Sequence, residues 1–180
     1  MARYAALLRA INVGPTTKVP MAELREFVQS ELGYTDVSTL LNSGNLIFTG
    51  DVSPKTVDAQ LAEAFSERFG FRIEVVCRTQ KQLESVLAYD PFGGVADDDS
   101  KLLVLFMSDP PKKGAALQAV LDADYGKELC DLRSREFFIW TPDGVSESKS
   151  WKALAKSKTV THTTGRNIRT IKKIAAQMAG

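Results

Sequence analysis

Hydrophobic and polar positions over the first 78 residues alternate between the period of a strand and the period of a helix. Two strand-like runs flank a tight turn at Asn42-Ser43-Gly44, which is typical of a hairpin. The order of elements is that of a ferredoxin-like split βαβ unit. The predicted elements are a strand over 3–13, a helix over 20–32, strands over 36–41 and 45–50, a helix over 53–69 and a strand over 71–77.

The second half resembles the first with a helix placed before it. Thr79 and Gln82 form a possible capping box that opens this helix, and an acidic loop over 90–100 follows. The predicted fold class is therefore α+β, with two ferredoxin-like subdomains, 1–78 and 79–180, packed as one unit with mostly antiparallel sheets. The later predicted elements are a strand over 101–107, a helix over 113–121, a hairpin of 127–133 with 136–141, and helices over 147–157 and 165–178.

The composition is that of an average globular protein, with 44% hydrophobic and 25% charged residues in 180. No apolar run approaches the ~20 residues that span a bilayer, and the N-terminal segment fits a first strand better than a signal peptide. Cys77 and Cys130 stand far apart in different apolar stretches, which argues against a disulfide framework. These features predict a cytoplasmic protein with no membrane partner.

The net charge of +1 hides an uneven distribution. Residues 148–180 include eight bases and no acid, so residues 1–147 have a net charge of −7. Such an asymmetry indicates an anion-binding surface or a nucleic-acid contact. The plainer alternative is that a basic face packs on the acidic body or remains solvated.

The split βαβ order places strand 1 beside strand 3, so the exit of strand 1 and the turn between strands 2 and 3 lie at the same end of the sheet. Several hydrogen-bond donors and no carboxylate are expected there, which suits an anion such as phosphate, sulfate or a carboxylate. Alternatively, the turn simply requires asparagine, serine and glycine, and Arg9 pairs with a neighbouring acid. Because an unpaired charge in an apolar strand is costly, we favour a specific role for Arg9. The candidate ligand-binding residues at this end are Arg9, Asn12, Lys18, Asn42, Ser43, Gly44 and Asn45.

A second polar segment, 161–167, comes just before the last predicted helix. A helix N-terminus attracts negative charge, and capping of its amides accounts for Thr163 or Thr164. Capping does not account for Arg166, because a cation has the wrong sign at a helix start. We therefore expect Arg166 to bind an anion or a packed carboxylate.

The sequence contains no established catalytic or metal-binding motif. His162 is the only histidine, and no cysteine or carboxylate spacing near it indicates zinc. Asp97 to Asp99 lack the spacing of an EF-hand loop. A Walker loop, a dinucleotide-binding glycine motif and a nucleophile elbow are also absent from the sequence. We predict no metal and no cofactor.

Several segments together resemble the bacterial domain of unknown function 1697 family. They include the Leu-Arg-x-Ile-Asn-Val-Gly run at 8–14, the Ser-Gly-Asn turn at 43–45 and the closing segment 163–170. The resemblance spans Tyr4 to about Thr170 and implies two ferredoxin-like subdomains, with no established activity. The family's characteristic polar positions fall on Arg9, Asn12, Gly14, Lys18, Ser43, Gly44, Asn45, Arg166, Asn167 and Thr170.

The sequence departs from the family's usual pattern at Ala10 and Pro15, where glycines are typical, and at Ile168, where tryptophan is typical.

The favoured function is a cytoplasmic domain that binds an anionic ligand: a nucleotide, a phosphometabolite or a nucleic-acid segment. One alternative is an enzyme for phosphoryl or acyl transfer that uses the same arginines electrostatically, with His162 as its only evident base. Another is a protein-interaction module whose basic tail binds an acidic partner. The sequence predicts neither the reaction nor an oligomeric state.

Overall fold

The computed structural model describes residues 1–54 and 56–180, and the chain divides into two compact units. The first unit is Met1–Glu84 with Ile174–Gly180, and the second is Ser85–Lys173. Each unit contains one four-stranded antiparallel sheet with helices, which confirms the α+β class with two ferredoxin-like subdomains.

The sheet of the first unit has the strand order β2-β3-β1-β4. Its central strand β1 pairs antiparallel with both neighbours, so Leu7 lies opposite Asn45 and Arg9 lies opposite Glu74. The elements are β1 (Ala2–Arg9), α1 (Met21–Ser30), β2 (Thr35–Leu40), β3 (Asn45–Gly50), α2 (Val57–Phe69), β4 (Glu74–Thr79) and α3 (Gln80–Leu87).

The core of the first unit forms where one face of the sheet meets α1 and α2. Side chains alternate between the faces of a strand, so Tyr4, Ala6 and Leu8 of β1 share this face. Each fully buried large apolar side chain contributes about 1.5–3 kcal/mol to folding. The apolar stripes predicted for the two helices supply the other layer: Leu24, Phe27 and Val28 from α1, and Val57, Leu61 and Phe65 from α2.

The second unit has the equivalent strand order, β6-β7-β5-β8. The segment before the last helix was predicted without a strand, but residues 163–167 form one: they pair along β5, with Val104 opposite Arg166, and lead directly into the helix. The elements are β5 (Leu102–Met107), α4 (Ala115–Asp122), β6 (Leu129–Arg133), β7 (Glu136–Trp140), α5 (Lys149–Ser157), β8 (Thr163–Asn167) and α6 (Ile168–Ala179).

A helix directly follows the last strand of each sheet. α3 follows β4 directly and α6 follows β8 directly, so both halves have the order strand, helix, strand, strand, helix, strand, helix. The predicted capping box is present, because the Thr79 N–H donates to Gln82 Oε1 at 2.9 Å and the Gln82 N–H donates to Thr79 Oγ1 at 3.4 Å. The boundary at residue 78 and the packing of the subdomains as one unit stay predictions.

The first strand is shorter than the predicted 3–13. It ends at Arg9 because Ala10 (φ 65°) and Asn12 (φ 54°) leave the extended region of backbone space. Residues 10–20 therefore form a loop between β1 and α1, and this loop contains several of the candidate ligand-binding residues of the first unit.

Candidate functional site

The exit of β1 and the β2–β3 turn meet at one end of the first sheet, as the strand order predicts. The Leu8 N–H donates to the Gly44 carbonyl at 2.8 Å, and the side chain of Asn12 donates to the Asn42 carbonyl at 2.7 Å. We call segment 9–19 together with turn 41–45 the polar end.

Hydrogen bonds of Asn12 hold the loop of the polar end in place. Its Nδ2 donates to the carbonyls of Asn42 and Val19, at 2.7 and 3.2 Å, while its Oδ1 accepts from the Val19 N–H at 2.9 Å. Its backbone N–H donates to the Thr17 carbonyl at 2.7 Å. Asn12 therefore shapes the loop, which supports the structural alternative for this residue.

Asn45 and Gly44 also shape the turn. Asn45 is fully buried, and its Nδ2 donates to the Leu40 carbonyl at 2.7 Å. Gly44 adopts φ 81°, and a Cβ placed there would lie 2.6 Å from Ile11 Cδ1 and 2.8 Å from Leu8 Cβ. Only glycine fits this position, since a side chain would collide with the exit of β1.

Left-handed backbone conformations are concentrated at the polar end. Besides Gly44, three non-glycine residues have positive φ: Ala10 at 65°, Asn12 at 54° and Leu41 at 60°. This conformation costs roughly 1–2 kcal/mol for alanine or leucine and less for asparagine, and such strain tends to occur at functional sites.

Arg9 is neither buried nor surrounded only by donors, contrary to the prediction that no carboxylate reaches this end. Its Nη1 lies 3.4 Å from Glu74 Oε2 on the neighbouring strand β4, and its side chain is 49% exposed. Glu74 also pairs with Arg72 at 3.0 Å. The missed signal was the register of β4, which places Glu74 opposite Arg9.

The remaining candidates at the polar end are available to solvent. Lys18, Asn42 and Ser43 are exposed, and no hydrogen bond or ion pair joins the Lys18 side chain to the described part of the chain. Two apolar side chains in the same segments are exposed as well: Val13 at 78% and Leu41 at 50%. A cation thus shares this end with apolar surface.

Arg166 lies within β8 of the second unit, and its guanidinium bonds to its own strand. Its Nη1 donates to Thr164 Oγ1 at 2.9 Å and to the Gly165 carbonyl at 2.7 Å. Burial lowers the pKa of Arg166 to about 10, which leaves the side chain charged at neutral pH. Arg166 also comes immediately before Asn167 and the start of α6, so the inference that a cation has the wrong sign at a helix start still applies to it.

Asn167 caps α6, where the sequence favoured Thr163 or Thr164. Its Oδ1 accepts from the Thr170 N–H at 2.9 Å, the position that an N-cap side chain satisfies. The two threonines instead belong to β8. A ligand-binding role for Arg166, Asn167 and Thr170 stays a prediction.

Part of the basic C-terminal segment is neutralised within the second unit. Lys172 Nζ lies 2.6 Å from Asp99 Oδ2, and Arg169 Nη2 lies 3.6 Å from Asp98 Oδ1. The acidic loop therefore supplies partners to α6, which agrees with the plainer explanation for these two bases.

The two cysteines are free and unreactive by environment. Burial raises the pKa of the Cys77 thiol well above its ordinary value, and it raises that of Cys130 to about 11. His162 is exposed in the segment before β8. Within residues 1–54 and 56–180, no three His, Cys, Asp or Glu side chains gather as a metal site would require, and no helix is long and apolar enough to cross a membrane.

The chain matches the model of the family described as "Protein of unknown function (DUF1697)" over residues 1–138. The chain belongs to this family. The matched range includes the whole polar end and stops before Arg166. No relative was found among curated proteins.

A solved structure is similar over the whole chain. It is the conserved bacterial protein SP0830 from Streptococcus pneumoniae, with 28% sequence identity and a TM-score of 0.74. The likeness covers 100% of this chain and 99% of that one. The fold is thus shared by a conserved bacterial protein, whose description states no activity.

Proposed function

We propose that the polar end of the first unit binds an anionic ligand, and that a phosphate-bearing metabolite or nucleotide is its class. The observation behind the proposal is the exposed Lys18, which has no ion pair with the described residues and stands on a loop that Asn12 holds in place. Arg9, the last residue of β1, supplies a second cation at the polar end.

The strained backbone supports a binding role over a purely structural one. The hairpin turn itself needs residues with positive φ, and Leu41 and Gly44 meet that need. Ala10 lies outside the turn and is left-handed as well, although its side chain makes this unfavourable. The bonds of Asn12 maintain this geometry, and preformed geometry is what a ligand site requires.

Exposed apolar surface at the polar end suits a ligand with an apolar or aromatic part besides its phosphate. Val13 is 78% exposed and Leu41 is 50% exposed, while most other large apolar side chains of the first unit are covered. Small-molecule sites combine apolar lining with a few polar groups that fix orientation. This arrangement favours a nucleotide over free phosphate.

We also propose that the protein is cytoplasmic, which its two free cysteines support.

Thermal shift assays test the proposal with inorganic phosphate, ATP and a sugar phosphate as probes. A ligand that binds only the folded state raises its stability by mass action, by about 2.7 kcal/mol at a hundredfold excess over Kd. We expect ATP to raise the Tm of the wild type, and Lys18→Gln to remove most of that rise.

Lys81→Gln is the matched control, because Lys81 is an exposed lysine on α3 of the same unit, outside the polar end. It should keep the full ATP response. An equal response in Lys18→Gln and Lys81→Gln, or no response to any phosphate compound, would refute the proposed site.

A further inference from the structure

The second sheet has a basic end formed by three separate segments. The Lys112 N–H donates to the Thr159 carbonyl at 2.9 Å, which joins the loop after β5 to the residues after α5. The Ser108 N–H donates to the His162 carbonyl at 3.3 Å. Arg135, from the β6–β7 turn, donates through Nη1 to the Ser108 carbonyl at 2.8 Å. These hydrogen bonds therefore fix the relative positions of the three segments.

Four exposed lysines lie in these segments or directly beside them: Lys112 and Lys113 in the loop after β5, Lys156 in the last turn of α5, and Lys158 directly after it. None of the four forms an ion pair with any residue of the described ranges, 1–54 and 56–180. The carboxylates in the same segments are those of Asp109 and Glu136. Positive charge therefore dominates this surface, which we call the basic end.

Helix dipoles do not account for all of these lysines. Lys156 and Lys158 lie at the C-terminus of α5, where cations are favourable. Lys112 and Lys113 come immediately before Gly114, the N-cap of α4, where a cation is unfavourable. A stabilising role within the fold explains one pair and not the other, so the two pairs together indicate an external anion.

Lys158 also occupies a backbone position that suits glycine. It is the C-cap of α5 with φ 54°, a left-handed conformation in which glycine is the common residue. The strain of a left-handed side chain outweighs the favourable interaction of its charge with the helix dipole, so a lysine there lowers the stability of the fold relative to glycine. The stability of the fold therefore gives no reason for a lysine at this position.

The composition of the basic end favours nucleic acid over a protein partner. The exposed large apolar residues of the described chain are Met1, Val13, Leu41, Val95 and Val145, and all of them lie outside its three segments. A protein interface needs an apolar centre, whereas a phosphate backbone needs mainly positive charge.

We propose that the basic end of the second unit binds the phosphodiester backbone of nucleic acid without reading base sequence. Lysines neutralise phosphates as point charges, and bases are read by contacts to their edges or by stacking on exposed aromatic rings. The proposal is independent of the polar end of the first unit.

Fluorescence anisotropy with labelled duplex DNA of about 20 base pairs, titrated between about 50 and 200 mM salt, tests the proposal. The double variants are Lys112→Gln with Lys113→Gln, and Lys156→Gln with Lys158→Gln. We expect each to weaken binding several-fold and to reduce the slope of log K against log salt by about 0.9 for every phosphate that the variant no longer neutralises. Duplexes of unrelated sequence should bind equally.

Lys101→Gln with Lys127→Gln is the matched control. Both lysines are exposed in the same unit but lie at the opposite end of the sheet, beside the pairing of Leu102 and Leu129 with Trp140. This variant should bind DNA like the wild type, and so should Lys18→Gln of the polar end. The result therefore does not depend on the proposed function.

Lys158→Gly separates charge from stability. We expect it to raise the Tm while weakening DNA binding, which a purely structural lysine would not do. Three results would overturn the proposal. DNA binding could be lost equally in the control variant, it could fail to weaken with salt, or the wild type could bind polyglutamate and not DNA.

Discussion

Ala10 has φ 65°, at a position where the family typically has glycine. A left-handed alanine costs roughly 1–2 kcal/mol. Glycine removes this strain, but it also increases the entropy of the unfolded chain, which offsets part of the stabilisation. We therefore predict that Ala10→Gly raises the free energy of unfolding by up to about 1 kcal/mol, measured by urea denaturation.

Ala155→Gly provides the opposite case. Ala155 is exposed within α5, where glycine should lower the free energy of unfolding by about 0.5–1 kcal/mol. A loss of similar size in Ala10→Gly would contradict the strain that we infer at position 10.

Gly44 and Gly14 both belong to the family's motif positions, but the structure separates their roles. A Cβ at Gly44 would lie 2.6 Å from Ile11 Cδ1, whereas one at Gly14 would meet nothing within 4 Å. We predict that Gly44→Ala lowers the free energy of unfolding by more than about 2 kcal/mol, because it adds overlap to left-handed strain. Gly14→Ala should stay within about 0.5 kcal/mol of the wild type. Thermal unfolding of the two variants distinguishes them, and equal losses would contradict this assignment.

Arg9 shows what residue type alone leaves open. Its position in an apolar strand predicted a buried charge, but it is the last residue of β1, half exposed and paired with Glu74. The neighbouring strand decides its environment, and that neighbour lies 65 residues away in sequence. Asn12 differs, because the strand order alone predicted that it lies beside the β2–β3 turn, and its hydrogen bond to the Asn42 carbonyl confirms this position.

At the scale of elements, Glu128 fixes the start of α5. Its carboxylate accepts from the hydroxyls of Ser148 and Ser150, at 2.7 and 2.6 Å, and from the N–H groups of Lys149 and Ser150, at 2.8 and 3.1 Å. It thereby occupies the positive end of the helix dipole. Hydrogen bonds to a charged acceptor contribute about 1.5–3 kcal/mol, so Glu128→Gln should lower the free energy of unfolding by about that amount at neutral pH.

The pH dependence follows from the same contacts. Burial alone would raise the pKa of Glu128, but the hydrogen bonds from Ser150, Ser148 and the backbone outweigh it and lower the pKa. A carboxyl with a lowered pKa in the folded state stabilises the fold above its unfolded value of 4.5, and this contribution is lost as pH falls through the folded pKa.

Urea denaturation from neutral pH to below pH ~4 measures this loss. We expect the difference in stability between the wild type and Glu128→Gln to shrink as the solution becomes acidic. Glu147→Gln is the control, because Glu147 is 82% exposed and lies just before the same helix. Its exposed ion pair with Lys152, at 3.9 Å, contributes little, so Glu147→Gln should stay within about 0.5 kcal/mol of the wild type at every pH. A difference for Glu128→Gln that persists in acid would contradict the assignment.

Strand β8 could not be predicted from the hydrophobic pattern. Its sequence, Thr-Thr-Gly-Arg-Asn, has no large apolar residue, so nothing in the hydrophobic pattern distinguishes it from a loop. It forms because β5 offers an open edge and the second subdomain repeats the order of the first. Strands β1 and β5, by contrast, are apolar along most of their length, and the pattern identified both.

For the whole molecule, the net charge of +1 is less informative than its distribution. Of the basic C-terminal segment, Arg169 and Lys172 pair with the acidic loop of the second unit. Lys156 and Lys158 instead join Lys112 and Lys113 at the basic end, a grouping that requires the fold because the two pairs are far apart in sequence. Charge counting along the chain could not have found it.

The division between the two units falls inside two helices. α3 begins in the first unit and ends in the second, whereas α6 begins in the second and ends in the first. Unfolding either unit therefore removes part of both helices. We predict that the two subdomains unfold as one cooperative unit. Leu154→Ala, in the core of the second unit, should lower its stability by about 2–5 kcal/mol. If the units are coupled, hydrogen exchange of β1 in the first unit should speed up to match that of β5.

Leu24→Ala makes the reciprocal test, since Leu24 is fully buried in the core of the first unit. It should accelerate exchange in β5 as much as in β1. Lys156→Ala, a change of an exposed lysine on α5, should leave exchange in both strands unchanged. Exchange that changes only in the strand of the mutated unit would show that each subdomain opens alone. The two shared helices would then be connections that do not transmit stability.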